Sequence, residues 1–376
     1  MFVIAWASGI QKSCDLYHVT ENSSPGYRLD LAIFYTRELP INRNLIPGLF
    51  GIAFGTVLAA ANVLGQPQPT TNNATSGKVA AALEAVTAGL VGVVRVAAQD
   101  MAGGTQVFLN GDQAFPMAST YKIPIAVALV SKADAGELSL TDMIEIDDDE
   151  WVYSQVIAAN FIHQGVALSV ANLLEVMITH SDNTATDVCL RLVGGPAAVN
   201  RRLAQLGIEG MRVDRSTGDL LRDFYGVEPG RKNLAEIARI ASADPARVVA
   251  PDPQFEADPL DKSTPRAMLN LLTSLYNGSA LSEKSTGFLL GTMARTVTMP
   301  DRLGGLLPRN TPIAHKTGTV GDVANDAGYI TLPDGRRFAI VVFTRGSDTP
   351  PADRERAVAE VARTLYDYFL IHPANT

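Results

Sequence analysis

Apolar residues recur at helical spacing over 79–90 (VAAALEAVTAGL) and then give way to two short strand-like runs, 91–97 and 105–109, around a turn at Gly103-Gly104. The middle of the chain is mostly helical. Residues 123–135 are apolar at helical spacing, 168–179 form a second helix, and 197–206 a third. Strand character returns at 313–319, 327–332 and 338–343, the last two joined by the turn Pro333-Asp334-Gly335, and 352–371 closes the chain as a helix. Strands near both ends with helices between them predict an α/β fold of the α+β sandwich type. One antiparallel sheet is assembled from both termini with helices packed on it, and an all-helical subdomain is inserted over about 123–265.

A different pattern precedes this domain. The run LIPGLFGIAFGTVLAAANVL at 45–64 follows Arg37 and Arg43 and contains Ala59-Ala60-Ala61, the layout of a secretory signal peptide. Twenty apolar residues also suffice for a retained membrane anchor. Cleavage is the better expectation, because Pro47, Gly48, Gly51 and Gly55 weaken a spanning helix and Gln66-Pro67-Gln68-Pro69 begins a polar stretch. The expected organisation is an N-terminal extension and signal peptide or anchor over 1–66, a linker over 67–77 and one domain over 78–376. Residues 1–36 are longer than a usual basic leader, so a start site further downstream is expected.

Composition narrows the function. The 376 residues are 47% hydrophobic and 19% charged, with a formal net charge of −8 and no Lys/Arg-rich run, so nucleic acid is not an expected partner. Cys14 and Cys189 are too few for a disulfide framework. With no CxxC and no His/Cys cluster, neither a metal nor a cofactor is predicted.

Three short motifs carry the chemistry: Ser119-Thr120-Tyr121-Lys122, Ser181-Asp182-Asn183 and Lys316-Thr317-Gly318. If Ser119 opens a helix, Lys122 lies one turn on and on the same face, where its amine reaches the serine hydroxyl. Burial and the charge of Lys316 would lower the Lys122 pKa and make it a base for a serine nucleophile. Ser181 can relay a proton, and the Asn183 amide can hold a substrate amide. Lys316 puts positive charge beside the site, the hydroxyls of Thr317 and Thr319 can bind a carboxylate, and Gly318 admits substrate close to the backbone. Each motif alone also fits a plainer description: a helix-capping serine followed by a surface lysine, a capping turn, and an edge-strand lysine.

As an ordered set, the motifs resemble those of the penicillin-recognising serine enzymes, most closely the class A β-lactamases. The likeness spans about residues 78–372 and includes Tyr153 as a wall of the cleft, Arg212-Val213-Asp214-Arg215 leading into the loop below the site, and Asp301-Arg302-Leu303 before the third motif. It implies attack by Ser119 on a β-lactam carbonyl, with Lys122 as acylation base and Ser181 as proton relay. Lys316 and Thr317 would anchor the substrate carboxylate, and the backbone N–H groups of Ser119 and Thr319 would form the oxyanion hole.

Two departures limit the likeness. Class A enzymes place a glutamate two residues beyond the loop arginine and an asparagine four residues further on; here those positions are Thr217 and Leu221. Asp219 is the candidate substitute base, and Lys122 serving both steps is the alternative. A polar, Pro-rich stretch over 224–262 reads as an inserted surface loop or lid, whose Glu256, Asp258 and Asp261 would disfavour anionic substrates. No second cation for the carboxylate is evident except Arg345. The expected partner is a small β-lactam or a peptidoglycan-like peptide, and the expected form an exported monomer, at the membrane only if 45–64 is retained. The competing functions are a penicillin-binding or acyl-trapping protein, a D-Ala-D-Ala-type peptidase, and an esterase on the same scaffold. No Gly-x-Ser-x-Gly elbow favours an α/β-hydrolase.

Overall fold

A computed structural model describes residues 73–161, 163–228 and 234–372. The apolar run at 45–64, Arg37 and Arg43 lie outside the described residues. Helix α1 (Asn73–Thr87) leads into strands β1 (Val93–Asp100), β2 (Gln106–Leu109) and β3 (Phe115–Pro116), then helix α2 (Lys122–Asp134). Next come β4 (Met143–Glu145), α3 (Ile157–Asn160), β5 (Ala167–Ser169), α4 (Val170–Thr179), α5 (Asn183–Val193), α6 (Pro196–Gln205) and α7 (Thr217–Tyr225). They are followed by α8 (Leu234–Ala243), α9 (Pro245–Val249), α10 (Pro253–Ala257), β6 (Lys262–Ser263), α11 (Pro265–Tyr276) and α12 (Glu283–Met293). Strands β7 (Ile313–Val320), β8 (Val323–Thr331) and β9 (Arg337–Arg345) precede the closing helix α13 (Pro351–Ile371).

The main sheet has the order β2-β1-β9-β8-β7 with every pairing antiparallel. Its two ends of chain meet where Val93 faces Arg345 and Asp100 faces Phe338. Along β9 the pleat sends Phe338, Ile340 and Val342 to one face and Ala339, Val341 and Phe343 to the other. The first set packs with α1 and α13 through Leu83, Val358, Val361 and Phe369, and the second joins the core of the helical part. Because both faces are covered, β9 reads as a continuous apolar run rather than an alternating one.

Several boundaries differ from the sequence expectation for local reasons. Helix α1 starts at Asn73, inside the expected linker, and ends at Thr87, whose hydroxyl bonds the Leu83 carbonyl. Strand β8 starts at Val323 because the polar pair Asn325 and Asp326 continues the strand while fully buried. Asn325 Nδ2 donates to the carbonyls of Pro116 and Met117, and Asp326 accepts from or shares a proton with His315 Nδ1 at 2.9 Å. The helical part does not stop near residue 265. Helices α11 and α12 continue it to Met293, and Met268, Leu272, Leu289 and Met293 share one core with α2 and α4.

Among its described residues, the stretch over 224–262 carries three short helices, α8, α9 and α10, where a loop was expected. Asp244 and Asp252 cap α9 and α10, each followed by proline at the first helical position. A buried staple closes its base. Arg215 bonds Asp261 at 2.6 Å and both Asp223 and Asp258 at 2.8 Å, while Asp261 Oδ1 accepts the backbone N–H groups of Asp214 and Arg215.

Candidate active site

The nucleophile candidate sits on a strained turn. Ala118, at φ +46°, is followed by a 3₁₀ turn over Ala118–Tyr121 that runs directly into α2. In a 3₁₀ turn residues three apart are eclipsed, so Ser119 and Lys122 share one face. Lys122 is fully buried at the first position of α2, a helix whose residues from Lys122 to Val130 are all buried. Its Nζ donates to the Ser181 carbonyl at 2.7 Å and to Asn183 Oδ1 at 2.8 Å, with Ser181 Oγ at 3.2 Å. Burial pushes the amine down to about 7, against the opposing charges of Asp182 and Asp187. A neutral lysine has two N–H groups, both occupied here by the two carbonyl-type acceptors. Its lone pair is thereby left to accept from a hydroxyl, and Ser181 Oγ stands at 3.2 Å.

The second motif is a cap and a site at once. Asp182 caps α5 through the Ala185 N–H, and its other oxygen accepts from Val156 and Ile157, which ties down the loop carrying Tyr153. Asn183 joins the two sides, with Oδ1 on Lys122 and Nδ2 donating to the Tyr153 carbonyl at 2.8 Å. Ser181 stands between them at φ +60°, and Tyr153 is exposed at the rim.

Strand β7 brings the third motif against the Ser119 turn. A Cβ on Gly318 would lie 2.7 Å from the Met117 carbonyl oxygen and 3.1 Å from the Ser119 nitrogen. Glycine is therefore needed for the nucleophile turn to dock on β7, not only for substrate to approach. Lys316 is fully buried and bonds the Thr317 carbonyl; burial and the charge of Lys122 hold it well below the usual lysine range. Thr317 shares a hydroxyl bond with Thr298 at 2.6 Å. Behind the strand lies Arg302, 1% exposed, which donates to the carbonyls of Gly318 and Asn325 and to Thr319 Oγ1 at 2.7 Å. From the sequence it belongs only to the Asp301-Arg302-Leu303 segment and has no assigned role. Arg345, the residue named there, lies over the Phe115 ring.

Beneath the site runs α7. Ser216 caps it, and Asp219 is drawn into that cap, bonding the Ser216 hydroxyl and Arg222 with its carboxylate half-exposed. Thr217 behaves differently. It is buried, its hydroxyl bonds the Tyr121 phenol, and the backbone N–H groups of Thr217 and Gly218 donate to the two oxygens of Asp187 at 2.6 and 2.8 Å. Burial raises Asp187 to about 6. The acidic residues of the inserted stretch do not project a free negative field: Asp258 and Asp261 are held by Arg215, and Glu256 accepts from the Gly346 N–H.

An antiparallel sheet flanked by its terminal helices, with a helical part whose first buried helix begins at Lys122 directly after the 3₁₀ turn bearing Ser119, is the class A β-lactamase fold. The chain belongs to the β-lactamase enzyme family, whose pattern matches residues 78–369. It is 30% identical over 272 residues to β-lactamase VEB-1 of Pseudomonas aeruginosa, covering 70% of this chain and 80% of that one. The extended-spectrum β-lactamase PER-1 of the same organism is 30% identical over 276 residues, with coverage of 70% and 78%. Among solved structures, a β-lactamase from Chitinophaga pinensis DSM 2588 aligns with TM-score 0.64 and 32% identity over 79% of this chain and 99% of that one.

Proposed function

We propose that this protein is an exported, monomeric serine β-lactamase that opens the lactam ring through an acyl-enzyme on Ser119. The observation that carries the reading is the buried Lys122 amine, brought down to about 7 and seated between Ser181 and Asn183 one 3₁₀ turn from Ser119. Relatives named as β-lactamases support it. In acylation Ser119 Oγ bonds the lactam carbon and gives its proton to Lys122. As the C–N bond breaks, the nitrogen takes a proton from Lys122 through Ser181 Oγ, 3.2 Å from the amine. The N–H groups of Ser119 and Thr319 hold the oxyanion. Lys316, Thr317 and Thr319 receive the substrate carboxylate beside Gly318, with Arg302 adding positive charge through Thr319. Asn183 and Tyr153 bound the side-chain end of the cleft.

A second reading, an acyl-trapping or penicillin-binding protein acting on peptidoglycan-like peptides, draws on Thr217 standing where a glutamate base is expected. Following the intact mass of the protein with a penicillin and with a cephalosporin separates the two. A transient adduct on Ser119 with release of opened product is the expected result. A permanent adduct favours trapping, and no adduct with either drug refutes both. Export rests on the run at 45–64, and N-terminal sequencing of the protein recovered outside the cytoplasm checks it.

A further inference from the structure

Deacylation needs a group that takes a proton from water, and the expected glutamate is absent. One buried carboxylate has no part in the acylation scheme. Asp187 lies one helical turn beyond Asn183 on α5, wholly enclosed, between Lys122 and the first turn of α7. It is acceptor to the N–H groups of Thr217 and Gly218 and also to the Thr217 hydroxyl. Tyr121, buried and held well above the usual tyrosine range, keeps its phenol proton and bonds the same Thr217 oxygen.

These bonds have a fixed direction. An ionised Asp187 only accepts, so Thr217 donates to it; Thr217 has a single proton, so Tyr121 must donate to Thr217. One lone pair of Thr217 Oγ1 is left over. It belongs to the residue that occupies the position of the missing base.

We propose that Thr217 and Asp187 together replace the glutamate: Thr217 Oγ1 holds the hydrolytic water and passes its proton to the Asp187 carboxylate. Thr217 is the catalytic residue, and Asp187, acting through it, the positioning residue and proton store. The idea rests on the β-lactamase reading above. As the water oxygen bonds the acyl carbon, its proton moves to Thr217 Oγ1, whose own proton moves to Asp187, leaving threonine unchanged. The C–O bond to Ser119 then breaks, and Asp187 gives up the proton it stored to the neutral Lys122, which passes it on to Ser119 Oγ, so that carboxylate and amine both end the cycle as they began it. The sum is one water added across the ester.

Asp219 is a weaker base for this step, because its two oxygens are already committed to the Ser216 hydroxyl and Arg222. The groups facing Asp187 are Lys122 on α2, Tyr121 before it and Cys189 on its own helix, with Arg215 and Asp261 reaching Tyr121 from the base of the inserted stretch. Of these, Lys122 opposes the upward shift of Asp187 and burial drives it.

The test uses the full chain, benzylpenicillin and rapid-quench intact-mass spectrometry from pH 5 to 9, with parent, Asp187→Asn, Thr217→Val, Thr217→Ser and Asp219→Asn. Thr217→Val keeps the backbone N–H groups that Asp187 caps and removes only the hydroxyl, so it separates relay from structure. Expected are acylation within a fewfold of the parent and deacylation slowed about 10²-fold or more in Asp187→Asn and Thr217→Val, the range of general-base help. Thr217→Ser should retain deacylation. Parent deacylation should rise through about pH 6, where Asp187 ionises, and that limb should vanish in Asp187→Asn. Parent-like deacylation in Asp187→Asn or Thr217→Val overturns the proposal, as does loss in Asp219→Asn alone, or a parent adduct that never turns over. Absence of any adduct overturns the underlying β-lactamase reading instead.

Discussion

Gly318→Ala is the smallest change that asks whether β7 positions the nucleophile. The added methyl would stand 2.7 Å from the Met117 oxygen, 2.9 Å from the Thr120 nitrogen and 3.1 Å from the Ser119 nitrogen. All three are backbone atoms, so no side chain can rotate away. The turn is also clamped from behind, where Asn325 holds the carbonyls of Pro116 and Met117. Restoring ordinary contact, which begins near 3.4 Å, requires the two backbones to part by about 0.7 Å. Overpacking of this kind costs about 1–3 kcal/mol, each worth roughly 2–4 °C of Tm in a domain of this size. Displacing a reacting group by about 1 Å costs on the order of 10² in rate. The expected outcome is acylation slowed by about two orders of magnitude with Tm lowered by only a few degrees. Stopped-flow single turnovers with a chromogenic cephalosporin and a thermal melt read the two effects separately. Gly287→Ala on α12, where a methyl meets nothing within 4 Å, should leave acylation unchanged and raise Tm slightly, since alanine favours a helix interior over glycine by about 0.5–1 kcal/mol. An acylation rate for Gly318→Ala within threefold of the parent would refute the argument that this close contact sets the nucleophile.

The acylation rate should rise with pH through about 7 and stay high above it, because the neutral Lys122 amine is the active form; Lys122→Met should abolish the step, and a flat parent profile would rule the amine out as base. Arg302→Lys removes the fork that reaches Gly318, Asn325 and Thr319 together, so KM for a carboxylate-bearing lactam should rise about tenfold or more with a smaller change in kcat. Unchanged steady-state constants would remove Arg302 from the substrate side of the site. Arg215→Ala leaves Asp223, Asp258 and Asp261 without their shared cation and should cost about 3–5 kcal/mol, seen as a lowered midpoint in urea unfolding.

Much of the fold was legible because periodicity and burial coincide. Residues Phe338–Phe343 of β9 and Ile123–Val130 of α2 are apolar and buried without a break, so pattern alone located them. The failures are instructive in physical terms. Asn325 and Asp326 break the apolar pattern of β8 yet belong to it, since their polar atoms are satisfied by other strands. The dipeptides Asp244-Pro245 and Asp252-Pro253 looked like loop composition, although a capping carboxylate followed by proline is also a helix start. In the site, the three motifs carried their own labels. Asp187 carried none, and Arg302 was marked only as part of the Asp301-Arg302-Leu303 segment with no role, because a single acid within TATDVCL and a single base within DRLGG gain their meaning only from what the fold buries around them.

The helices α8–α10 and the proposed role of Thr217 bear on each other through α7. Loop-closure cost grows only with the logarithm of length, about 0.6 kcal/mol per doubling, and the Arg215–Asp261 staple already holds the two ends together. Extra chain between them can therefore persist on a modest apolar contact. Phe224 and Phe255 supply it, with ring centroids 5.5 Å apart over Leu220, Val320 and Val323. A Cβ on Gly321, in the turn between β7 and β8, would meet the Ala250 carbonyl at 3.2 Å and the Phe224 ring at 3.5 Å, so the insertion is seated against the end of the strand that bears the third motif. Helix α7 is thus gripped at its N-terminus by Asp187 and at its C-terminal half by the insertion. Such a grip is what the proposed Thr217 relay requires. A glutamate reaches its water by adjusting three side-chain torsions, whereas a threonine hydroxyl has one, so its placement is decided by the backbone that carries it.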